Sequence, residues 1–277
     1  MVRLTLRNLF ARKFRLVLTS VAVVLGVAFM AGTFVLTDTL GSVFDSLFAD
    51  TTKGVDTVVR AQEPFEARGQ NRTETRPPVP EALEGLVASV PGVNRAQGGV
   101  FGYALVLGKP ASGQSQGEAI QHQAPTFGTS WPRRQTVNQS LGLVDYKGRR
   151  GHQPSGPDDV ALDIKTAQDG GFRIGDKVTV TFLSVQPRAF TLTGVFEFGG
   201  KEDGLAGATL AAFTPTQAQA LMNRTGQWDA VQVRADDGVS QDEVRDAIRK
   251  RLPGFRAELA ADGATVPPLQ AITGDQL

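Results

Sequence analysis

Residues 228–255 read WDAVQVRADDGVSQDEVRDAIRKRLPGF, a predicted strand followed by a predicted helix. The strand, Trp228 to Ala235, is rich in valine and is bounded by turn-forming residues. Ser240 and Glu243 stand three residues apart at the start of the helical pattern, which is the sequence of a capping box. The helix is predicted to end at Leu252-Pro253-Gly254-Phe255, where a proline is followed by a glycine.

The same order of elements occurs earlier in the chain. A strand, Val55 to Ala61, precedes a helical stripe that has Pro80 near its first position. This helix is predicted to end at Val90-Pro91-Gly92-Val93, with the same proline and glycine as the later copy. Chance similarity of two short strands is the alternative, but the shared ending favours a strand–helix–strand repeat. The apolar stripe consists of Val79, Leu83, Leu86, Val87 and Val90.

The segment between the two copies has the pattern of a mostly-β subdomain. Lys109 to Gln135 is rich in Gly, Gln, Ser and Pro and is predicted to be a loop. Thr214-Pro215 marks a later helix start, with threonine as the cap. Short predicted strands separated by turns cover residues 160–164, 177–183 and 189–198. The sequence therefore predicts an α+β fold, in which a split βαβ-repeat subdomain carries an inserted, mostly-β subdomain.

Leu16 to Thr37 read LVLTSVAVVLGVAFMAGTFVLT, 22 residues without a charge or a proline. A helix of this length spans roughly 33 Å, enough for the hydrocarbon core of a membrane. Cations and no acid precede the run, and the positive-inside rule therefore predicts a cytoplasmic N-terminus. These cations are Arg3, Arg7, Arg12, Lys13 and Arg15.

Two other interpretations of this run compete with a membrane anchor. A secretory signal peptide also begins with cations, but its apolar part has about 7–15 residues and ends in a cleavage site such as Ala-x-Ala, which does not follow here. A buried core helix would need a large domain around an almost wholly apolar segment flanked by cations. We therefore expect an uncleaved transmembrane helix, with the residues after Asp38 on the extracytoplasmic side of the cell membrane.

Small residues four apart occur twice within the predicted span. Ala22 and Gly26 form one pair, and Ala28 and Gly32 form the other. Small side chains at this spacing let membrane helices approach closely, so these residues are candidates for helix packing. The alternative is that alanine and glycine are simply common in membrane helices.

These patterns predict six segments along the chain. They are a cytoplasmic amphipathic basic segment at 1–15, a transmembrane helix at 16–37, a helical stalk at 38–54, a split α/β subdomain at 55–108 and 208–262, an inserted mostly-β subdomain at 109–207, and a linker at 263–277 toward a missing second membrane helix.

The composition excludes several classes of protein. Without cysteine the chain has no disulfide framework, thiolate metal site or cysteine nucleophile. Its histidines, His122 and His152, lie in polar sequence and are predicted on the surface rather than at a metal centre. The net charge of +1 divides into +5 for the first 15 residues and −4 for the remainder, and so small a total argues against nucleic acid as a partner.

The sequence contains no motif for a phosphate-binding loop, a serine-nucleophile elbow or a zinc protease. The acidic pairs Asp158/Asp159, Glu202/Asp203 and Asp236/Asp237 lie in turn-like sequence and are predicted to be solvated turn residues. No catalytic constellation emerges, so we expect neither an enzyme nor a bound cofactor.

Several short motifs follow each other in one order along nearly the whole chain, and none of them is decisive alone. They are Leu6 to Leu9, Arg12 to Thr19, Val35 to Asp38, Gly54 to Arg60, Gly156 to Val160, Gly175 to Val178, Phe198 to Gly200, Gly207 to Phe213 and Trp228 to Val231. In this order they resemble the N-terminal part of an FtsX/MacB-type ABC transporter permease, particularly the actinobacterial kind.

The resemblance implies a large extracytoplasmic domain between the first and second membrane helices, with a split α/β part and an inserted β part. It also implies a cytoplasmic ABC ATPase subunit as partner, contact with membrane lipid, and a homodimer or a paired permease subunit. Such permeases use ATP hydrolysis to move the outer domain mechanically. Gln270 to Leu277 stops where the family continues toward its second span, so we expect an N-terminal fragment of a permease.

Two other functions stay open at this point. One is a complete, single-pass, membrane-anchored binding or regulatory protein of the extracytoplasmic side. The other is an envelope enzyme, which the missing catalytic cluster disfavours.

Overall fold

The computed structural model describes residues 17–18, 20–33, 54–63, 76–110, 117–120, 125–132, 137, 141–198 and 208–276. The chain divides into two compact units, Met1–Leu47 and Phe48–Leu277. The predicted basic segment, 1–15, and the predicted stalk, 38–54, lie outside the described residues except for Gly54.

In the first unit, residues 20–33 form a helix, α1, whose described side chains are all exposed. Among the described residues, no helix has both the length and the apolar character that a membrane crossing requires. Residues 16, 19 and 34–37 of the predicted span lie outside the described part of the chain, and the transmembrane helix stays a prediction.

The second unit contains a four-stranded antiparallel sheet that joins the two ends of the outer region. Its strands, in spatial order, are β15 (Leu269–Thr273), β1 (Thr57–Ala61), β14 (Ala230–Ala235) and β3 (Val93–Gly99). Val59 lies at the centre, paired with Val231 on one side and with Ala271 on the other. All three are fully buried, and the sheet forms the base of a core that helices complete.

Two helices, α2 (Leu83–Ala88) and α5 (Gln241–Ala261), cover this sheet, and together they form what we call the sheet lobe. The capping box at the start of α5 is confirmed: Ser240 Oγ accepts a hydrogen bond from the Glu243 N–H at 3.3 Å, and Glu243 Oε2 accepts one from the Ser240 N–H at 2.9 Å. The helix then buries one stripe at helical spacing. The stripe consists of Val244, Ile248, Leu252, Phe255 and Leu259.

The predicted start of the first helix is wrong. Val79 and Pro80, assigned to that helix, form a short strand, β2 (Val79–Pro80), which pairs with β13 (Gln227–Trp228). The helix begins only at Leu83. Val79 is fully buried. A buried position is apolar in a strand as well as in a helix, so the apolar pattern could not distinguish the two.

The predicted end of the second helix is also wrong, because α5 continues through Pro253 to Ala261. Proline lacks an N–H and breaks a helix unless other contacts outweigh the loss. Phe255 and Leu259, only 2% exposed each, extend the buried stripe beyond the proline. Their burial holds the last two turns against the sheet lobe.

The predicted linker, 263–277, is wrong for the residues of β15. Leu269, Ala271 and Thr273 are buried and alternate with half-buried residues, and this is the pattern of a strand with one covered face. The Gly274 N–H continues the pairing by donating to the Asp56 carbonyl oxygen at 3.0 Å. Five alternating residues are too few to predict a strand unless the partner strand, β1, is known.

Six further strands of the second unit build a closed barrel. Its strands, in spatial order, are β10 (Lys177–Phe182), β4 (Phe101–Leu107), β5 (Thr126–Ser130), β12 (Thr209–Phe213), β9 (Asp159–Asp163) and β11 (Arg188–Phe198). The ring closes because β10 pairs with both β4 and β11. The β5–β12 and β9–β11 pairs are parallel, and the other pairs are antiparallel. Closure leaves these six strands without a free edge over the paired residues.

Three phenylalanines fill the inside of this barrel. Phe182, Phe190 and Phe213 are buried, and their ring centroids lie 4.9–6.1 Å apart in tilted or edge-on contacts. Such aromatic geometry adds to the burial of apolar area. A second apolar cluster, which includes Trp131 and Phe196, lies outside this core.

Smaller elements complete what we call the barrel lobe. They are β6 (Leu141–Leu143), which pairs with the end of β11, the hairpin of β7 (Asp145–Tyr146) and β8 (Arg149–Arg150), α3 (Ile164–Asp169), and α4 (Pro215–Leu221). A 3₁₀ turn, Gly274–Gln276, follows the last strand of the sheet lobe. Thr214 caps α4 as predicted, with its hydroxyl oxygen accepting from the Gln217 N–H at 3.4 Å.

The observed lobes meet at different residues from the predicted boundaries. β4, assigned to the split subdomain, is a barrel strand, and so is β12. β5 lies within Lys109 to Gln135, which was predicted to be a loop. Its sequence, TFGTS, is polar and contains glycine, and it becomes a strand because β4 and β12 supply hydrogen bonds on both sides.

Candidate functional site

The outer surface of the barrel lobe carries a concentrated set of exposed apolar side chains. Among the described residues from 54 onward, four large apolar side chains are exposed: Phe101 by 51%, Tyr103 by 37%, Leu183 by 81% and Val185 by 39%. Contiguous exposed apolar surface is uncommon on soluble domains and marks sites of interaction.

Strand register brings these side chains together. β4 alternates, so that Ala104 and Val106 point into the barrel while Phe101 and Tyr103 point outward. Phe182 is paired with Ala104, and continuing this antiparallel register by one residue sets Leu183 opposite Tyr103. On the other side of β4, Tyr103 is paired with Phe127 of β5.

A shallow open cavity of about 350 Å³ lies within this group. It is lined by Phe101, Gly102, Tyr103, Pro125, Thr126 and Phe127. The Phe101 and Phe127 rings are 4.5 Å apart at an angle of 35°, so they form one aromatic wall. We call Phe101, Tyr103, Phe127 and Leu183 the apolar patch.

Met222, just after α4, supports the strands that carry the patch. A Cβ atom on Gly102 would lie 3.2 Å from the Met222 side chain, and one on Gly128 would lie 2.5 Å from it. Glycine at both positions therefore lets the Met222 side chain approach the backbones of β4 and β5. This contact ties the patch to the connection between the two lobes.

Asp229 links the patch to the sheet lobe. Its Oδ2 accepts a hydrogen bond from the Phe101 N–H at 2.8 Å, and its own N–H donates to the Gly99 carbonyl oxygen at 2.9 Å. Its Oδ1 accepts from Arg224 Nε, also at 2.8 Å. Asp229 thus fixes the backbone on both sides of the connection between β3 and β4.

The residue between those two strands, Val100, is also fixed from the barrel side. Its N–H donates to Ser130 Oγ at 3.1 Å, and its carbonyl oxygen accepts from the Ser130 N–H at 3.1 Å and from Thr129 Oγ1 at 3.2 Å. Val100 is 1% exposed, so these bonds are shielded from water. We call Val100, Ser130, Arg224 and Asp229 the junction.

A family comparison identifies this architecture. The profile of the MacB-like periplasmic core domain matches residues 16–251, most of the chain. The chain belongs to this family.

The chain is also similar to solved structures. The crystal structure of the periplasmic region of MacB from Actinobacillus actinomycetemcomitans is 12% identical, covers 83% of the chain and 94% of its own length, and superposes with a TM-score of 0.51. At this identity the likeness concerns the fold alone. No curated protein matches the chain in sequence.

Two further structures superpose less closely. The extracellular domain of the noncanonic ABC-type transporter YknZ from Gram-positive bacteria is 12% identical, with coverage of 78% and 100% and a TM-score of 0.46. A domain of a putative permease protein from Porphyromonas gingivalis is 14% identical, with coverage of 80% and 90% and a TM-score of 0.49.

The predicted topology residues of this MacB-like chain, Arg3, Arg7, Arg12, Lys13 and Arg15, lie outside the described residues. The predicted helix-packing residues are all described, on α1, and all are exposed. At 3.6 residues per turn, Ala22 and Gly26 share one face of the helix, whereas Ala28 and Gly32 share another. These four residues stay candidates for helix packing on two separate faces.

The acidic pairs of the core domain do not come together as a site. Asp158 pairs with Arg188, and Asp236 accepts from Asn94 Nδ2 at 3.2 Å. Asp159 closes a turn, where partial burial works against ionisation but hydrogen bonds from Ser155 and Gly156 outweigh it and lower its pKa. Glu202 and Asp203 lie outside the described residues.

Only one of the two histidines lies within the described residues. His152 is exposed, with Nδ1 2.8 Å from the Gln153 carbonyl oxygen, and His122 lies outside the described residues. Within the described part of the chain, no group of three or more potential metal ligands occurs.

Sequence reasoning missed one buried carboxyl group, Asp163. It caps α3, with Oδ1 accepting from the Thr166 N–H at 2.9 Å, and Oδ2 accepts from the Leu210 N–H of β12 at 2.7 Å. Burial raises the pKa of Asp163, while the hydrogen bonds from Thr166 and Leu210 act in the opposite direction. The Asp-x-x-Thr spacing after a strand was the available signal for this cap.

Proposed function

We propose that the chain is part of a permease subunit of an FtsX/MacB-type ABC transporter, which couples cytoplasmic ATP hydrolysis to movement of its extracytoplasmic domain. The observation that carries this proposal is the family match over residues 16–251. The movement serves export or another process of the cell envelope. An ABC ATPase subunit is the partner on the cytoplasmic side, and a second permease subunit is the partner within the membrane.

The predicted membrane span supports the proposal. The uncharged run at 16–37 and the cations before it are what a cytoplasmic N-terminus and a first transmembrane helix require. In this arrangement the sheet lobe, which contains the first strand after the span, is the part of the outer domain that receives the motion first along the chain.

The junction supports a mechanical role for the outer domain. Asp229, on the sheet lobe, holds the Phe101 N–H on the barrel lobe, and Ser130 holds Val100 from the other side. The bond between Ser130 and Val100 is buried, so breaking it would leave polar groups without partners, whereas the bond from Phe101 to Asp229 is exposed. Together they resist displacement of one lobe against the other. We therefore expect the barrel lobe to move together with the sheet lobe.

The ATPase partnership is tested with the full-length protein in its native membrane. We expect an ABC ATPase subunit to co-purify with it in detergent and to hydrolyse ATP at least twofold faster in the complex than alone. A variant of the ATPase that cannot hydrolyse ATP serves as control and should still co-purify. An ATPase rate and recovery that do not depend on the permease would contradict the proposal and leave a single-pass anchored protein.

The orientation is tested by cysteine labelling, since residues 1–277 contain no cysteine of their own. Ser184→Cys, at an exposed position of the barrel lobe, should react with a membrane-impermeant maleimide in intact cells. Thr5→Cys should react only after the membrane is permeabilised. Equal labelling of both variants in intact cells would overturn the predicted topology.

A further inference from the structure

We propose that the apolar patch is the docking site for a short apolar segment of another extracytoplasmic protein. The inference deepens the proposed function, on which it rests, by assigning a partner surface to the barrel lobe. Three of the four exposed large apolar side chains of the described residues from 54 onward belong to this patch, and the fourth, Val185, follows Leu183 by two residues in the chain. Such a gathering from separate stretches of chain is not expected of apolar residues scattered on a surface.

The size of the patch favours a short segment over a second copy of the chain. At these exposed fractions, its side chains present roughly 400 Å² of apolar surface, which is in the range of functional patches. A stable interface between two folded proteins buries about 800 Å² on each partner. The patch alone is therefore too small for a dimer contact, but it suits a segment that places a few side chains on it.

The shape of the patch indicates how the segment binds. The cavity of about 350 Å³ has room for the side chains of a few apolar residues, and no charged residue is among those that line it. The rings of Phe101 and Phe127 form one wall, 4.5 Å apart. Aromatic walls around a concave centre are typical of anchor sites for aliphatic or aromatic side chains.

The barrel also limits the mode of binding. Over Phe101–Tyr103, β4 pairs with β5, and β5 pairs with β12 on its other side, so both edges of β5 are already paired at the patch. A partner cannot add a strand to β5, so we expect recognition to come from side chains that enter the cavity. The specificity of the site therefore lies in Phe101, Tyr103, Phe127 and Leu183.

The surrounding charges favour a protein over a lipid surface. Arg224 is paired with Asp229, which holds the Phe101 N–H, and Arg188, on the strand after Leu183 and Val185, is paired with Asp158. Segments that insert into membranes combine apolar residues with cations that reach anionic headgroups. Arg188 and Arg224 are each engaged by a carboxylate in this way.

A photo-crosslinking experiment tests the proposal in the native membrane. Full-length protein with p-benzoylphenylalanine in place of Tyr103 is irradiated in intact cells, and the same substitution at Lys177 is the control. Lys177 is exposed at the other end of β10, away from the patch. We expect an adduct with one extracytoplasmic protein at position 103 only, mapped by mass spectrometry to an apolar segment.

A binding measurement then decides whether the adduct reports docking. A synthetic peptide of the cross-linked segment should bind the purified full-length protein, and Leu183→Ser should weaken this binding at least tenfold. Lys177→Ser, the matched control, should change it less than twofold. Leu183 is 81% exposed, so its replacement removes contact surface without disturbing the core.

Other outcomes overturn the inference. They are an adduct of twice the chain's mass, an adduct with phospholipid alone, no adduct above the Lys177 level, and peptide binding that both serine variants retain. If one of these is found while the ATPase subunit still co-purifies and responds, the docking inference fails and the proposed function stands.

Discussion

A Cβ atom on Gly98 would lie 2.2 Å from Nε1 of Trp228, so the indole ring rests directly on the backbone of β3. Gly98 and Trp228 are both buried, on neighbouring parts of the sheet lobe. The contact requires glycine, since any side chain at position 98 would occupy the space of the ring. It therefore fixes where the Trp228-Asp229 segment, and with it the junction, lies against the sheet.

Gly98→Ala is predicted to destabilise the protein by about 2 kcal/mol, because the ring must move from a packed position. The measurement is equilibrium unfolding in urea, followed by tryptophan fluorescence of the full chain in detergent. Gly99→Ala is the matched control, since the nearest atom to its Cβ would be Ser130 Oγ at 4.0 Å. Equal stability of the two variants would show that the ring is free to move.

Replacing the junction carboxylate, in Asp229→Ala, is predicted to cost about 0.5–1.5 kcal/mol of unfolding free energy, because the Phe101 N–H and Arg224 lose their acceptor. Hydrogen exchange should speed up at the amide of Phe101 by at least tenfold, while the amide of Val59 in the sheet centre keeps its protection. Asp237→Ala, at an exposed position, is the control and should change neither quantity. Unchanged exchange at Phe101 would contradict a role for Asp229 in joining the lobes.

Asp163→Ala is predicted to cost about 2–4 kcal/mol, because it removes a helix cap and also leaves the buried Leu210 N–H without its acceptor. Thr214→Ala removes a cap alone and is expected to cost about 1 kcal/mol. Urea unfolding of both variants gives the comparison. If the two costs are equal, the bond from Leu210 to Asp163 does not contribute to stability.

The buried carboxyl group of Asp163 also predicts a dependence on pH. Burial raises its pKa in the folded protein above the ordinary value of 3.8, so between pH 3.8 and the folded pKa the folded state holds a proton that the unfolded chain has released. Its contribution to stability is complete below pH 3.8 and is lost as the pH rises through the folded pKa. The difference in unfolding free energy between the wild type and Asp163→Asn should therefore grow as the pH is lowered toward 3.8. If the wild type instead loses stability relative to Asp163→Asn on acidification, the pKa of Asp163 is lowered in the folded protein and not raised.

Pro253→Ala is predicted to stabilise the chain by about 1–3 kcal/mol, because alanine restores the N–H that proline lacks within α5 and removes a clash with the preceding turn. Pro253 is exposed, so its ring contributes little to the core. Thermal unfolding monitored by circular dichroism gives the measurement, with Ala260→Gly as a control in the same helix that should destabilise by about 1 kcal/mol. A lower melting temperature for Pro253→Ala would show that the proline is needed at this position.

Local features could be predicted from the sequence because they depend on residues that are close along the chain. The capping box of Ser240 and Glu243 and the Thr214 cap each join residues three apart, and both are present. The predicted strands at 177–183 and 189–198 agree with β10 and β11 to within one residue at each end. Period-two alternation and cap spacing need no knowledge of the partner strand.

Only part of the candidate functional residues could be predicted from the sequence. The cations before the predicted span and the small residues within it could be identified from the sequence, since they depend on charge and spacing alone. The apolar patch could not be identified from the sequence, because apolar side chains such as those of Phe101, Tyr103 and Leu183 are typical of the covered face of a strand. Nothing in an alternating strand tells which of its two faces is covered.

The sequence by itself determined the uncharged 16–37 run, the polarity of the outer region, the local strands and caps, and the likeness to MacB-like core domains. Only the tertiary structure decided that β15 completes the sheet, that β5 is a strand, and that β10 closes the barrel by pairing with both β4 and β11. These pairings join segments that are distant along the chain, and their energy comes from hydrogen bonds and burial that no single segment provides. Closure selected the inner face of β4 for Ala104 and Val106 and thereby left Phe101 and Tyr103 on the outside.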